Sequence, residues 1–374
     1  MRILFISPFM HRLRRGIERF TVDLAGELTD SGAEVHILAW QDSNNIQWST
    51  AHPAIQWHQL LLTRYFQGFS AGLLYPWFIR QIKPDVLIMS FLWHGEDIAL
   101  RFMRSSIQTT LVLNYPAAQV RSRYKSMQRK ELIDRIDNVV AVSQFVADGA
   151  KPYIGNVTAV IPNGVYTDHF RPNSDKTSAR QFLKLPKAAH IIGTVAAFEK
   201  RKGIQHMIAA LPEVLTALPN THYVVAGDGP ERDIMQSQIA ALNLEGNVHL
   251  LGNIEDVRLV YDSIDMLAFL TTGEACPIAL LEAMSSGLPL LLAKQPPLNE
   301  FADEYGAIFV NENDSAEVAR QTISLLEDQV TRNTMGVYNR RVAVDKYDWS
   351  IISKQYLALF TTGPVNYVHL NDTA

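Results

Sequence analysis

Two glutamates, Glu274 and Glu282, stand eight positions apart in the stretch TTGEACPIALLEAMSSGLP (271–289). An apolar run rich in strand formers ends at Thr271, and helical spacing starts around Cys276 or Pro277, since proline is favoured in a first turn, where its missing N–H leaves no bond unmade. Glu274 then lies just ahead of the helix and Glu282 about one and a half turns inside it. Backbone at Cys276, Pro277, Ile278 and Ala279, with the positive end of the helix dipole behind it, is a seat for an anion such as a pyrophosphate. Carboxylates on its flanks would repel phosphate, so the partners that suit Glu274 and Glu282 are hydroxyl groups. The plainer alternative is an acidic helix cap followed by a solvated glutamate.

Other residues with chemistry to offer are scattered along the chain. The loop FEKRKG (198–203) gathers Lys200, Arg201 and Lys202. RRGIERF (14–20) sets Gly16 and Glu18 behind the first apolar run, where a glycine permits a tight strand-to-helix turn. His94 in FLWHGED (91–97) ends another run, a place where a lone histidine is more often structural. No zinc-type Cys/His spacing and no aspartate-rich cluster occurs, so no metal is expected.

These positions need elements to hold them. Short apolar runs recur between helical patterns: RILFIS (2–7), AEVHILAW (33–40), PDVLIMS (84–90), TLVLNY (110–115), NVVAVS (138–143) and VTAVIPN (157–163). A second series follows: HIIGTVA (190–196), HYVVAGDG (222–229), VHLLG (248–252), DMLAFLT (265–271), LPLLLA (288–293) and AIFV (307–310). Strands alternating with helices mean βαβ units and parallel sheets. A chain of 374 residues also exceeds the roughly 250–300 at which one core stops growing. The expectation is an α/β chain of two doubly wound domains, residues 1–168 and 169–347, hinged within NGVYTDHFRPNSDK (163–176), where turn residues and prolines cluster. DKYDWSIISKQYLALF (345–360) keeps helical spacing beyond the second sheet, so a helix within about 348–374 is expected to return to the first domain. Ligands of such sheets bind outside the carboxyl ends of the strands. Two such ends facing each other would make an interdomain cleft with one substrate on each wall.

The formal charge of −4 and pI near 6.3 exclude a nucleic-acid binder that works by neutralising phosphates over its whole surface. The balance is uneven: residues 1–170 carry 17 Lys+Arg against 14 Asp+Glu, and residues 171–374 carry 17 against 24. The first half is the one suited to an anionic partner. A single cysteine, Cys276, excludes an intrachain disulfide and fits a reducing compartment such as the cytoplasm. No run approaches the ~18–20 apolar residues of a membrane span, and MRILFISPF reads as a buried strand rather than a signal peptide.

The E-x7-E pair followed by AM-x-x-G-LP resembles the signature of the large glycosyltransferase family four, GT-B fold enzymes that include many bacterial polysaccharide and lipopolysaccharide transferases. Further matches come in order. IPNGVYTDHF-x-P (161–172) is similar to the family's interdomain segment, VVAGDGPERD (224–233) to its glycine-bearing strand and loop, and NVHLLGNIEDVRLVYDSIDMLAFL (247–270) to the stretch ahead of the donor helix. YDWSIISKQYL (347–357) is similar to its return helix, so that agreement covers nearly all of residues 135–360.

The resemblance implies a GT-B pair of Rossmann-like domains with a nucleoside-diphosphate sugar in the cleft. It puts Glu274 on the sugar's hydroxyls, Glu282 on the ribose, and Lys202 on the diphosphate, where a positive charge stabilises the departing nucleotide. Gly16, Arg201, Gly227, Gly229 and Asn253 join the donor side with the backbone of 276–279. The chain departs from the family in three places. Ala197 stands where an arginine is usual, five residues before the lysine, and Lys200 or Arg201 is the candidate substitute. Arg15 replaces the first of two glycines. The family's sugar-side histidine falls in LNYPA (113–117), where Asn114 or Tyr115 stands; His94 is the candidate to reach the sugar instead.

On the acceptor side, WHQLLLTRYFQGFSAGLLYPWF (57–78) is rich in aromatics, and basic residues stand at Arg12, Arg14, Arg15 and Arg19 and again at Arg121, Arg123, Lys125, Arg129 and Lys130. Aromatics beside basic residues suit an anionic lipid surface; a buried helix pair with a basic face is the equal alternative. The reading is a metal-independent, retaining hexosyl transfer to an acceptor hydroxyl of a glycan or lipid-linked molecule, in cell-surface polysaccharide or glycolipid synthesis. It needs no cofactor beyond the nucleotide sugar, and it places the chain in the cytoplasm, with peripheral contact to the inner face of the membrane. Two rivals are a nucleotide-sugar epimerase on the same fold and a non-catalytic sugar-nucleotide-binding homologue, the latter suggested by Ala197 and Arg15.

Overall fold

The computed structural model describes residues 1–7, 16–40, 52–60, 67–90, 100, 106–115, 133–173 and 175–363. The chain divides into two compact units, Met1–Asn163 with the segment from Trp349, and Gly164–Asp348. Each is a Rossmann-like α/β domain built on a parallel sheet.

In the first unit the strands are β1 (Arg2–Ile6), β2 (Glu34–Trp40), β3 (Gln56–Leu60), β4 (Val86–Met89), β5 (Gln108–Leu113), β6 (Asn138–Ala141) and β7 (Ala159–Val160). Their order is β3-β2-β1-β4-β5-β6-β7. Helices α1 (Gly16–Asp30), α2 (Gln67–Ile82) and α3 (Gln144–Ile154) lie in the crossovers. Central strands covered on both faces must be apolar throughout. Accordingly Ile3, Leu4, Phe5 and Ile6 are buried, as are Val86, Leu87, Ile88 and Met89 beside them.

One strand departs from expectation. Residues 57–60, expected within an aromatic surface or helix pair, form the edge strand β3, with His36 opposite Gln56 and Trp40 opposite Leu60. QWHQL has no β-branched residue because an edge strand needs only part of its surface buried. Its His58 Nε2 lies 2.9 Å from His36 Nδ1, and the two rings stack.

The second unit runs α4 (Lys176–Phe182), β8 (His190–Val195), α5 (Ile204–Ala217), β9 (Thr221–Ala226), α6 (Arg232–Ala241), β10 (Val248–Gly252), α7 (Arg258–Ser263) and β11 (Met266–Phe269). It continues through α8 (Ile278–Ser285), β12 (Leu290–Ala293), α9 (Leu298–Phe301), β13 (Ala307–Val310), α10 (Ser315–Glu327) and α11 (Gln329–Val342). The sheet order is β10-β9-β8-β11-β12-β13. Ile192, Tyr223, Met266, Leu291 and Val310 share one core cluster with Met207 and Leu211 of α5.

After a π-helical turn at Ala343–Tyr347 comes α12 (Trp349–Thr362). This helix packs on α1 of the first unit, where Phe20 lies 6.1 Å from the ring of Trp349 and 6.2 Å from that of Tyr356. Among the described residues no helix is long and apolar enough to cross a membrane.

Candidate active site

β8 and β11 are neighbours, but the chain leaves β8 toward β9 on one side and β11 toward β12 on the other. The loops at their carboxyl ends therefore diverge and open a crevice, which is where doubly wound sheets bind ligands. The two loops interlock by backbone. Thr272 N donates to the Arg201 carbonyl at 2.8 Å. Gly203 has φ +73°, and a Cβ there would fall 1.9 Å from the Leu270 carbonyl oxygen; at Gly227, φ +135°, it would fall 2.0 Å from that of Ala196. Glycine at both positions is what lets three loop backbones meet at one edge of the sheet.

The loop after β8 forms a short 3-10 turn over Lys200–Lys202 and points two cations at Glu274. Lys202 Nζ is 2.5 Å from Glu274 Oε1, Thr271 Oγ1 donates to the same oxygen at 2.8 Å, and Arg201 Nη1 approaches it at 3.4 Å. The Arg201 Nε is held by Glu199 at 2.8 Å. Glu274 is only 8% exposed. Burial by itself would raise its pKa, but the charge and hydrogen bond of Lys202, then Arg201 and Thr271, outweigh it and hold the carboxyl below the usual range. At neutral pH this carboxylate accepts hydrogen bonds and does not act as an acid.

The helix after this loop starts later than the spacing predicts. Pro277 is its N-cap, with ψ 105°, and α8 opens at Ile278, leaving Cys276 buried in the preceding bend. Proline fixes φ but not ψ, so it fits a cap as well as a first turn; its carbonyl accepts from Leu280 N at 3.0 Å. Ile278 and Ala279, both half-buried, form the first turn. Glu282, the fifth residue of α8, is 7% exposed, and its Oε2 accepts from the hydroxyl of Tyr261 on α7 at 2.8 Å. Burial, and then the Glu282 charge, push the Tyr261 phenol well above its ordinary value.

Sequence spacing singles out neither Thr271 nor Tyr261. Each carries a weak signal: a hydroxyl three residues ahead of Glu274, and a polar-tipped ring directly after the apolar pair Leu259 and Val260. Of the other predicted residues, Gly229 backs onto Phe198, where a Cβ would meet the carbonyl oxygen at 2.6 Å. Asn253 is exposed just after β10, and Ala197 and Lys200 are exposed in the loop after β8. In the first unit, Gly16 opens α1 and is exposed. Asn114, just after β5, buries both carboxamide atoms with no hydrogen-bond partner among the described residues. His94, Arg12, Arg14, Arg15, Arg121, Arg123, Lys125, Arg129 and Lys130 lie outside the described residues. Among the described residues no three His, Cys, Asp or Glu side chains come together as a metal site would require.

Residues 175–342 match the family described as glycosyl transferases group 1, and residues 14–169 match that described as glycosyltransferase family 4. The phosphatidyl-myo-inositol mannosyltransferase of Propionibacterium freudenreichii is 30% identical over an alignment spanning 98% of this chain and 96% of that protein. The chain belongs to the group 1 glycosyltransferases. The phosphatidyl-myo-inositol mannosyltransferase of Mycolicibacterium smegmatis is 24% identical, over 97% of this chain and 94% of its own. Among solved structures, Anabaena HepE in complex with UDP and glucose superposes with a TM-score of 0.81 at 20% identity, over 97% of this chain and 100% of that one. Sucrose-phosphate synthase of Thermosynechococcus elongatus gives 0.81 at 19%, over 97% and 98%. At these identities the structures speak for the fold, which is GT-B. The group 1 match, residues 175–342, spans Lys202, Glu274 and α8 of this glycosyltransferase.

Proposed function

We propose that this glycosyltransferase moves a hexosyl group from a nucleoside-diphosphate sugar to a hydroxyl of a lipid-linked acceptor, with retention of configuration and without a metal. The observation that carries the reading is the convergence of Lys202, Arg201 and Thr271 on the ionised, buried Glu274 at the switch point of the second sheet, one loop away from α8 and Glu282. Lys202, Arg201 and the first N–H groups of α8 supply positive charge where the departing diphosphate gathers negative charge, the term that dominates such transfers. Glu274 accepts hydrogen bonds from the sugar and Glu282 from the ribose. The bond from the anomeric carbon to the phosphate oxygen breaks as the bond to the acceptor oxygen forms on the same face, and the acceptor's proton passes to the leaving phosphate. No protein nucleophile is needed.

The UDP and glucose held by Anabaena HepE support a nucleotide-sugar donor, and the names of the two mannosyltransferases support a lipid acceptor. In the first domain, Trp77 is 53% exposed on α2 with Arg80 one turn along, which supports contact with a lipid surface. The test is incubation of the purified protein with radiolabelled UDP-glucose or GDP-mannose and vesicles containing phosphatidylinositol or diacylglycerol. The expected result is labelled lipid whose anomeric configuration, read by NMR, matches the donor's. Inverted product would overturn retention, and failure of every nucleotide sugar to bind or be cleaved would overturn the reading as a whole.

A further inference from the structure

We propose that Tyr261 is a positioning residue for the donor's ribose, its hydroxyl holding the Glu282 carboxylate in the orientation that meets the ribose diol. The inference rests on the reading of Glu282 as the ribose's partner. Tyr261 lies on α7, 1% exposed, and its ring is braced edge-on by Phe170 at 5.8 Å. Its hydroxyl sits 2.8 Å from Glu282 Oε2 and 3.2 Å from the Ala279 carbonyl. Both neighbours are acceptors, so the single hydroxyl hydrogen has to choose, and the charged acceptor at the shorter distance takes it. The phenol, raised in pKa by burial, stays a donor throughout the working pH range.

This matters because of what a diol asks of its partner. Two adjacent hydroxyls are best received by a carboxylate whose plane is already set. Glutamate carries three side-chain torsions, and ordering such a chain on binding costs rotamer freedom. A buried tyrosine donor on one oxygen removes that freedom before the nucleotide arrives. It also stabilises a carboxylate that α8 holds at 7% exposure, where an unpartnered charge would be expensive. Tyr261 reaches the nucleotide only through Glu282, so its effect should be confined to the ribose end of the donor and leave the transfer step alone.

The experiment is steady-state kinetics of Tyr261→Phe, which keeps the ring and its packing on Phe170. Donor KM should rise about tenfold, on the scale of one hydrogen bond to a charged group, with kcat little changed. The deciding readout is a 2′-deoxy donor. Wild type should discriminate against it, and Tyr261→Phe should lose most of that discrimination. Glu282→Gln should lose it as well, and the double variant should be no worse than Glu282→Gln alone, since residues acting through one another are not additive. Equal losses for the ribose and deoxyribose donors in Tyr261→Phe, or additive losses in the double variant, would overturn the positioning role while leaving Glu282 on the ribose. Undiminished discrimination in Glu282→Gln would instead overturn the ribose reading beneath it. Thermal melts of all three variants separate either result from a folding defect.

Discussion

Glu274→Gln should push donor binding and sugar transfer in opposite directions. The substitution keeps the length of the side chain and an accepting oxygen but removes the charge that engages Lys202 at 2.5 Å and Arg201 at 3.4 Å. Both cations become available to an incoming anion, and the carboxylate's repulsion of that anion disappears. A unit charge about 6 Å away in an effective dielectric of about 20 is worth about 2.8 kcal/mol. Much of this is already compensated by the Lys202 pair, so a net gain of about 1 kcal/mol, roughly fivefold tighter binding of a nucleoside diphosphate, is expected. Transfer loses instead, because a neutral amide replaces a charged acceptor for the sugar's hydroxyl; about 1.5–3 kcal/mol, or about 10- to 150-fold in turnover, is the scale. Titration calorimetry with the nucleoside diphosphate gives the first quantity and single-turnover transfer of a labelled sugar gives the second. If the variant binds the nucleotide more weakly by the factor that it slows transfer, Glu274 is a structural prop and does not compete with the diphosphate for the two cations. The pH dependence has a defined sign. The folded carboxyl is held below its ordinary 4.5, so the stability it lends is complete above that value and is lost only as pH falls through the depressed one.

Lys202→Ala should cut turnover by about two orders of magnitude, as when one preorganised charge-stabilising donor is removed; an effect confined to donor KM in the same assay would reassign the role to Arg201. Ala197→Arg should tighten the donor, since residue 197 is exposed in the loop after β8 that carries both cations, and an unchanged dissociation constant would mean that Arg201 already fills the place. His222 and His249 face each other across β9 and β10 at 3.0 Å, and burial, with His222 acting on His249, lowers both pKa values. Folding therefore favours their neutral forms, and stability should decline as pH drops below about 6.5 and through the lowered values. His249→Asn should flatten that acid limb in pH-dependent melts, and an unchanged slope would refute the linkage.

Much of this architecture is legible because parallel strands covered on both faces announce themselves as apolar runs. VHLLG and AIFV match β10 and β13 to the residue. β3 is hard to see for the converse reason: QWHQL lies at an edge, where one side needs no apolar cover. At the site, the motif locates Glu274 and Glu282 but not their company. Lys202 and Thr271 share one oxygen of Glu274 although Lys202 is 72 residues away in sequence, and only the adjacency of β8 and β11 creates that meeting. The hydroxyl of Tyr261 is hidden likewise, since a tyrosine following Leu259 and Val260 looks like core until its neighbour is known to be a carboxylate. Pro277 misleads by one position because its fixed φ serves a cap and a first turn equally.

The packing of α12 on α1 also imposes an order of events during synthesis. Everything from Gly164 to Asp348 leaves the ribosome before Trp349 and Tyr356 do, so the second domain has all of its own strands and helices while the first still lacks the helix that covers Phe20. Domains usually fold in the order in which they are made. Here the domain begun first is the one completed last, and for the time it takes to translate its partner it carries an uncovered aromatic face to which a chaperone would have access.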